Sequence, residues 1–180
     1  MKIRILRGRI VTVTSICSRL GLTGIGPYTV AKFAISGYCD VIRAELRRFG
    51  VSVHVLEPGF FHTSLTNAEN VEKQLNELYA KCPEEAKREY GKDFFIKLRS
   101  KTTWLLDLIS SSRIDYVTDA YFHALTAVYP RSRYQVGWDS ILLYIPLSFL
   151  PTPVFDFLMC ATEWILRMPT PLVLEKAKDA

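Results

Sequence analysis

Tyr28 and Lys32 are the residues in this sequence whose types and spacing most directly invite chemistry. Four apart in a stretch of helical pattern, they place a phenol and an ammonium on one helix face, one turn apart. A cation beside a phenol stabilises the phenolate and lowers a pKa that is ordinarily about 10. A tyrosine tuned in this way exchanges a proton near neutral pH as a general acid or base. By itself the pair reads equally well as two residues on a solvated helix face. Ser15 adds a second group. It ends a β-branched run thirteen residues before Tyr28, and the loop between them can return its hydroxyl to the phenol. The carboxyl ends of strands are where open α/β sheets hold their ligands. The plainer reading of Ser15 is a polar strand-end residue capping a turn. A third feature is the loop Pro58-Gly59-Phe60-Phe61-His62-Thr63. It leaves the same sheet edge and offers backbone groups and the Thr63 hydroxyl to whatever the crevice holds.

The elements that must position these groups follow from the pattern. Arg9-Ile10-Val11-Thr12-Val13-Thr14-Ser15 is β-branched and bounded by Gly8, which predicts a buried strand. From Tyr28 the apolar residues Ile35, Cys39, Ile42 and Leu46 recur at helical spacing, and Arg47-Arg48 then Gly50 supply a cationic end and a left-handed cap. Val51 to Leu56 is a second strand closed by Pro58-Gly59. Strand, helix and strand with short connections make a βαβ unit, hence a parallel sheet with a right-handed crossover. Thr66-Asn67-Ala68-Glu69 predicts a capping box opening a helix with Val71, Leu75, Leu78 and Cys82 on one face. Further helical stretches are expected around Phe94 to Leu108 and along Val117, Ala120, Tyr121, Ala124 and Val128 up to Pro130. Arg133-Tyr134-Gln135-Val136 reads as a short third strand.

Composition sets outer bounds. The 180 residues are 49% hydrophobic and 23% charged, which excludes a disordered tail, a collagen-like repeat and a coiled coil. The net charge of +5 is scattered over Arg4, Arg7, Arg9, Arg47, Arg48, Arg131 and Arg133 with no nucleic-acid module behind it, so no nucleic-acid partner is expected. Cys17, Cys39, Cys82 and Cys160 are widely spaced, which suits reduced core thiols and predicts neither a disulfide framework nor a metal site. The basic start from Met1 to Arg9 leads into a short Val/Thr strand and not into a secretory leader. The uncharged run from Ile141 to Phe155 is broken by Pro146, Pro151 and Pro153 and is too short for a spanning helix, which needs about 20 apolar residues. It reads as a lid over a lipophilic pocket, as a segment in a membrane interface, or as ordinary core packing.

Ser15, the Tyr28-x-x-x-Lys32 pair, and Pro58-Gly59 with Thr63 four residues on together resemble the short-chain dehydrogenase/reductase family. Within it the chain is most similar to the branch of the retinol dehydrogenases and 17β-hydroxysteroid dehydrogenase type 6. The similarity extends through Gly8-Arg9-Ile10-Val11, Glu57-Pro58-Gly59-Phe60-Phe61, Pro130-Arg131-Ser132-Arg133-Tyr134, Gly137-Trp138-Asp139 and Leu147-Ser148-Phe149-Leu150-Pro151. The resemblance implies that Tyr28 is the acid/base and that Lys32 lowers its pKa and binds the nicotinamide ribose. Ser15 then polarises the substrate oxygen, and Pro58, Gly59 and Thr63 fix the nicotinamide of NAD or NADP. It implies an oxidoreductase acting on a lipophilic alcohol or carbonyl, retinoid or hydroxysteroid. The place it implies is the endoplasmic reticulum membrane, with the cytosol as the alternative.

The resemblance also has a gap. The family's glycine-rich pyrophosphate turn belongs well upstream of the serine, and fourteen residues precede Ser15 here. Gly21-Leu22-Thr23-Gly24-Ile25-Gly26 has the wrong spacing for that turn and is assigned to the loop between Ser15 and Tyr28. The expected fold is therefore α/β: the C-terminal part of a Rossmann-like doubly wound parallel sheet, without its dinucleotide-binding half, followed by a helical, apolar C-terminal extension. The chain is expected to form one truncated domain over 1–180. Its parts are a catalytic βαβ segment at 1–65, substrate-side helices at 66–137 and the apolar segment at 138–180. Dinucleotide binding is expected to be weak or absent, and the first strand is expected to leave an apolar edge open. The rivals to an active enzyme are an inactive module that binds lipid or a partner, and a non-functional fragment. Partners of the first kind would be a second copy of the chain or a full-length relative.

Overall fold

The computed structural model describes residues 8–178; the basic segment Met1–Arg7, part of the start contrasted above with a secretory leader, lies outside the described residues. The described chain divides into two compact units, Met1–Phe61 with Ser111–Leu150, and His62–Ser110 with Pro151–Ala180.

The first unit is built on three parallel strands in the order β1 (Gly8–Val13), β2 (Val51–Pro58) and β3 (Arg133–Val136). The third strand occupies the four residues that the sequence predicts. Strand residues alternate between the two faces of a sheet, and β2 shows what each face buries. Val53 and Val55 pack with Ile10 against Cys39, Ile35, Ile42 and Leu46 of the long helix α1 (Gly26–Leu46). On the other face Leu56, with Val11, Val13 and Val136, packs against Val117, Ala120, Tyr121 and Ala124 of α5 (Asp115–Thr126). Helices on both faces make this an α/β, doubly wound parallel sheet, as the pattern predicts. Val53, Val55 and Leu56 are at most 1% exposed, and each fully buried side chain of this kind contributes about 1.5–3 kcal/mol.

The ends of these elements match their chemistry with a few differences. α1 runs into a tight turn over Arg47–Phe49, and Gly50 caps it with φ 75°, the left-handed cap read from the sequence. β1 stops at Val13, short of the predicted Ser15, because the Thr14 side chain and amide both turn onto the Leu56 carbonyl (2.9 and 2.8 Å). α5 stops at Thr126, so Val128 lies beyond it and is 79% exposed. The Arg9 guanidinium donates to the carbonyls of Ala124 and Ala127 (3.0 and 2.6 Å), satisfying that helix end from β1. Among the described residues no strand pairs with the outer edge of β1, and the outward side of α1 leaves Val30, Phe33, Tyr38 and Val41 exposed.

The second unit is helical. It holds α2 (Ala68–Lys81), α3 (Glu84–Tyr90), α4 (Lys92–Ile109), α7 (Thr152–Ile165) and α8 (Leu172–Lys178); the three-residue α6 (Ile145–Leu147) belongs to the first unit. The cap of α2 corrects the expected capping box. Asn67, not Thr66, accepts from the Glu69 and Asn70 amides (3.0 and 3.3 Å). Thr66 instead closes a turn with Thr63. Tyr79, Tyr90, Phe94 and Phe95 form the aromatic contact among α2, α3 and α4. α7 buries none of its residues: Phe157, Trp164 and Ile165 are 71, 82 and 68% exposed. In the run from Ile141 to Phe155, Ile141, Leu142, Leu143 and Phe149 are exposed, while Tyr144, Ile145, Leu147 and Phe155 are half-buried. Two cysteines, Cys17 and Cys39, are the expected buried thiols; Cys160 is exposed and Cys82 half-buried, and all four are free.

Candidate active site

α1 begins with Gly26 and Pro27, a proline in the first turn where its missing N–H costs nothing. Tyr28 and Lys32 then fall one turn apart, as their spacing requires. Both are half-buried, and the Lys32 ammonium lies 5.4 Å from the centre of the Tyr28 ring. Lys32 also reaches across to the end of β1, where its Nζ is 3.5 Å from the Val13 carbonyl. One cation thus stands between the phenol and the strand end two residues before Ser15.

Ser15 is buried and performs the plainer of its two predicted tasks: its hydroxyl accepts from the Cys17 amide (3.2 Å) and caps a short helical turn over Ile16–Ser18. Among the described residues no hydrogen bond joins Ser15 to Tyr28. The residue in contact with Ser15 is Cys17, itself buried. Burial pushes its thiol up, and the opposing contact from the Ser15 side chain, its own amide and the Lys32 charge do not offset that. A thiol held protonated in this way is not a nucleophile. Thr63 lies in the second unit, exposed, where its carbonyl and amide form the turn leading into α2.

Pro58 ends β2 opposite Val136, and the Gly59 amide donates to the Val136 carbonyl (2.8 Å). The ring of Phe60 lies 5.8 Å from that of Tyr144, which closes a wide π-type turn over Ser140–Tyr144. Burial pushes the Tyr144 phenol up to about 12, with Asp139 and Cys17 adding to it, so this hydroxyl stays neutral. Of the apolar tail residues, Tyr144 is packed in this way, whereas Trp138 and Phe149 are 69 and 79% exposed.

The largest feature that sequence reasoning missed is a charge network beneath the site. Glu57 is fully buried at the end of β2, on the α1 side of the sheet. Arg19 grips both of its oxygens (2.9 and 3.1 Å), Arg133 of β3 pairs with one of them, and the Gln135 amide donates to the other (3.1 Å). Arg133 continues to both oxygens of Asp40 on α1 (2.6 Å each) and to Ser36 (3.1 Å). Arg19 lies four residues after Ser15, and Glu57 directly precedes Pro58, so the network ties the serine turn to the strand-end loop. The signal was present as a glutamate beside Val53, Val55 and Leu56 in a strand expected to be buried, which demands buried cationic partners.

Asp40 gives this network an acid limit. Burial raises its carboxyl, but the hydrogen bonds and charges of Arg43 and Arg133 outweigh that, and the net shift is downward. A carboxylate whose folded pKa is depressed stabilises the fold above its unfolded value, and that contribution is lost as the pH falls through the folded value. Stability of the chain relative to Asp40→Asn is therefore expected to be largest above the ordinary carboxylate range and to shrink as the pH falls below it. Denaturant titrations of both proteins across this range measure it; a difference that does not change with pH contradicts it.

The chain has relatives among known proteins. The family model described as "short chain dehydrogenase" matches residues 1–74. The chain is 40% identical over 174 residues to 3beta-hydroxysteroid dehydrogenase dhs-16 of Caenorhabditis elegans, covering 96% of this chain and 45% of that protein. It is 41% identical to 17-beta-hydroxysteroid dehydrogenase type 6 of Rattus norvegicus, covering 87% of this chain and 49% of that one. Against Retinol dehydrogenase 5 of Homo sapiens it is 37% identical, with 93 and 51% covered. A solved short-chain dehydrogenase from Streptomyces avermitilis superposes with a TM-score of 0.40 at 18% identity, over 87% of this chain and 49% of that one. The chain spans about half the length of the curated relatives it matches. On its matched motifs and these relatives, the chain belongs to the short-chain dehydrogenase/reductase family, on the branch of the retinol and hydroxysteroid dehydrogenases.

Proposed function

We propose that this chain carries the catalytic segment of an NAD(P)-dependent oxidoreductase that interconverts a lipophilic alcohol, retinoid or hydroxysteroid, and its carbonyl. The observation that carries the reading is the Lys32 ammonium held between the Tyr28 ring and the end of β1. An ammonium in that place stabilises negative charge developing on the phenol oxygen while a proton moves to or from the substrate. Tyr28 is the acid/base in this reading and Lys32 its electrostatic partner. The Ser15 hydroxyl, which accepts from the Cys17 amide, donates to the substrate oxygen and polarises it.

The donors present suit the nicotinamide-ribose half of a dinucleotide. Tyr28 and Lys32 supply a hydroxyl and an ammonium, and Thr29 Oγ1 in the same turn is buried with no partner. Pro58 and Gly59 would hold the nicotinamide side. When bound, the nicotinamide takes or supplies the hydride. The 180 residues contain no Gly-x-Gly-x-x-Gly turn for the pyrophosphate, so affinity is expected to be in the millimolar range. Titration calorimetry with NAD and NADP measures this, and micromolar affinity contradicts it. The apolar surface of Trp138, Ile141, Leu142, Leu143 and Phe149 supports placement at a membrane surface, the endoplasmic reticulum on the resemblance, with the cytosol as the alternative. Among the described residues no helix is long and apolar enough to cross a membrane.

The function is tested by turnover of all-trans-retinol and of a hydroxysteroid by the purified chain at saturating dinucleotide, followed by reduced-nicotinamide absorbance. Slow turnover above the Tyr28→Phe background supports the reading; none with either substrate overturns it. The open edge of β1 favours one second reading, an inactive module that pairs with a full-length relative. In that case a pull-down of such a relative succeeds with this chain and fails once Val11 is replaced by proline, while turnover is absent.

A further inference from the structure

The loop after β2 is held in place by a residue far along the chain. Its Phe60 amide donates to the Asp139 carboxylate, Oδ2 at 2.8 Å, and its Phe60 carbonyl accepts from the Ser111 amide at 2.9 Å. Asp139 stands three residues after the last residue of β3, at the entry to the π-type turn. Next to it Ser140, fully buried, donates its hydroxyl to the Glu57 carbonyl (3.3 Å), and at the far end of the turn Tyr144 lies against Phe60. Three backbone positions of this stretch, Glu57, Gly59 and Phe60, are thereby tied to β3 and the segment that follows it.

The carboxylate can occupy this place only because two neighbours lack side chains. A Cβ at Gly59 would overlap both Asp139 oxygens and its carboxyl carbon, and one at Gly137 would lie 2.5 Å from Oδ1. Gly137 also has φ 106°, which other residues rarely adopt. Steric room made at two separated glycines for one carboxylate, with a charge-assisted hydrogen bond at its tip, is a built contact. A wide turn is what lets Asp139 and Ser140 stay on the strand end while Tyr144 still reaches Phe60; such π-type insertions occur often at functional sites.

We propose that Asp139 is a positioning residue of the site: its carboxylate, seated between Gly59 and Gly137, fixes the Pro58–Phe60 loop against the strand end. The functional meaning of that loop rests on the oxidoreductase reading above, but the clamp itself does not, and the test separates them. Amide hydrogen exchange on the full 180-residue chain reads it directly. Asp139→Ala is expected to speed exchange of the Phe60 amide at least about tenfold, since a bond to a charged acceptor is lost, while Val53 to Val55 exchange as in the wild type. Asp139→Asn, which keeps an acceptor, is expected to restore most of the protection. A second measurement uses the steric argument. Gly59→Ala is expected to lower the denaturant midpoint, and adding Asp139→Ala to it is expected to raise that midpoint again, a coupling that independent sites do not show. Unchanged Phe60 protection in Asp139→Ala overturns the proposal, and so does a Gly59→Ala variant that is as stable as wild type or gains nothing from the second substitution. If the clamp behaves as expected and the chain turns over neither substrate, the oxidoreductase reading fails and the role of Asp139 in holding the loop stands.

Discussion

Tyr28→Phe is expected to lower turnover by about 10²–10⁴-fold, the range that a positioned proton donor contributes. The substitution is clean because the ring stays. Phe keeps the surface that the Lys32 ammonium covers at 5.4 Å, keeps the helix spacing and removes one oxygen at a half-buried position. A stability effect within about 0.5 kcal/mol is expected, as for surface changes away from special features, so the loss reports proton transfer and not unfolding. Lys32→Met separates the partner's role. It removes the charge beside the phenol and the contact with the Val13 carbonyl, and its turnover is expected to fall. Tyr28→Phe turning over within about threefold of wild type would remove Tyr28 from the chemistry, since general acid/base roles contribute far more than that.

Glu57→Ala is expected to cost about 3 kcal/mol of unfolding free energy, at the low end of what breaking a buried ion pair costs. Its carboxylate is fully buried, whereas Arg19 and Arg133 keep 29 and 20% of their side chains exposed and recover part of their hydration. That is why the lower figure applies. Glu57→Gln keeps the shape and some hydrogen bonds but leaves two guanidinium groups facing a neutral amide, and an intermediate loss is expected. Equilibrium denaturation of the three proteins measures both. The site is expected to respond as well, because Arg19 lies in the loop that follows Ser15 and Glu57 leads into Pro58-Gly59. A loss under about 1 kcal/mol for Glu57→Ala would mean that the buried carboxylate is not what joins these elements.

The weakest surfaces of the molecule follow from the same sheet. A parallel sheet with helices on both faces buries its strands, yet the outer edge of β1 has no partner strand among the described residues. Arg9, near the start of β1, spends its charge on the end of α5 and so leaves little to guard that edge. A chain of this kind is expected to associate through β1 or through the exposed face of α1 unless something covers them.

The elements and the central pair were legible in the residues themselves. β-branched runs bounded by glycine and proline, a helix of regular apolar spacing and a cationic end before Gly50 specify local structure through contacts only a few residues apart. The Tyr28–Lys32 juxtaposition is of the same kind, since one helical turn fixes it. The tertiary structure alone decided the rest. It turned the Ser15 hydroxyl onto its own turn, exchanged Thr66 for Asn67 as the cap of α2, and buried Glu57 among Arg19, Arg133 and Gln135. It also brought Asp139 back to Phe60 across 79 positions of chain. Apart from the two local caps, those contacts join residues 38 to 79 positions apart, so only the packing of the sheet against its helices could select which charge meets which.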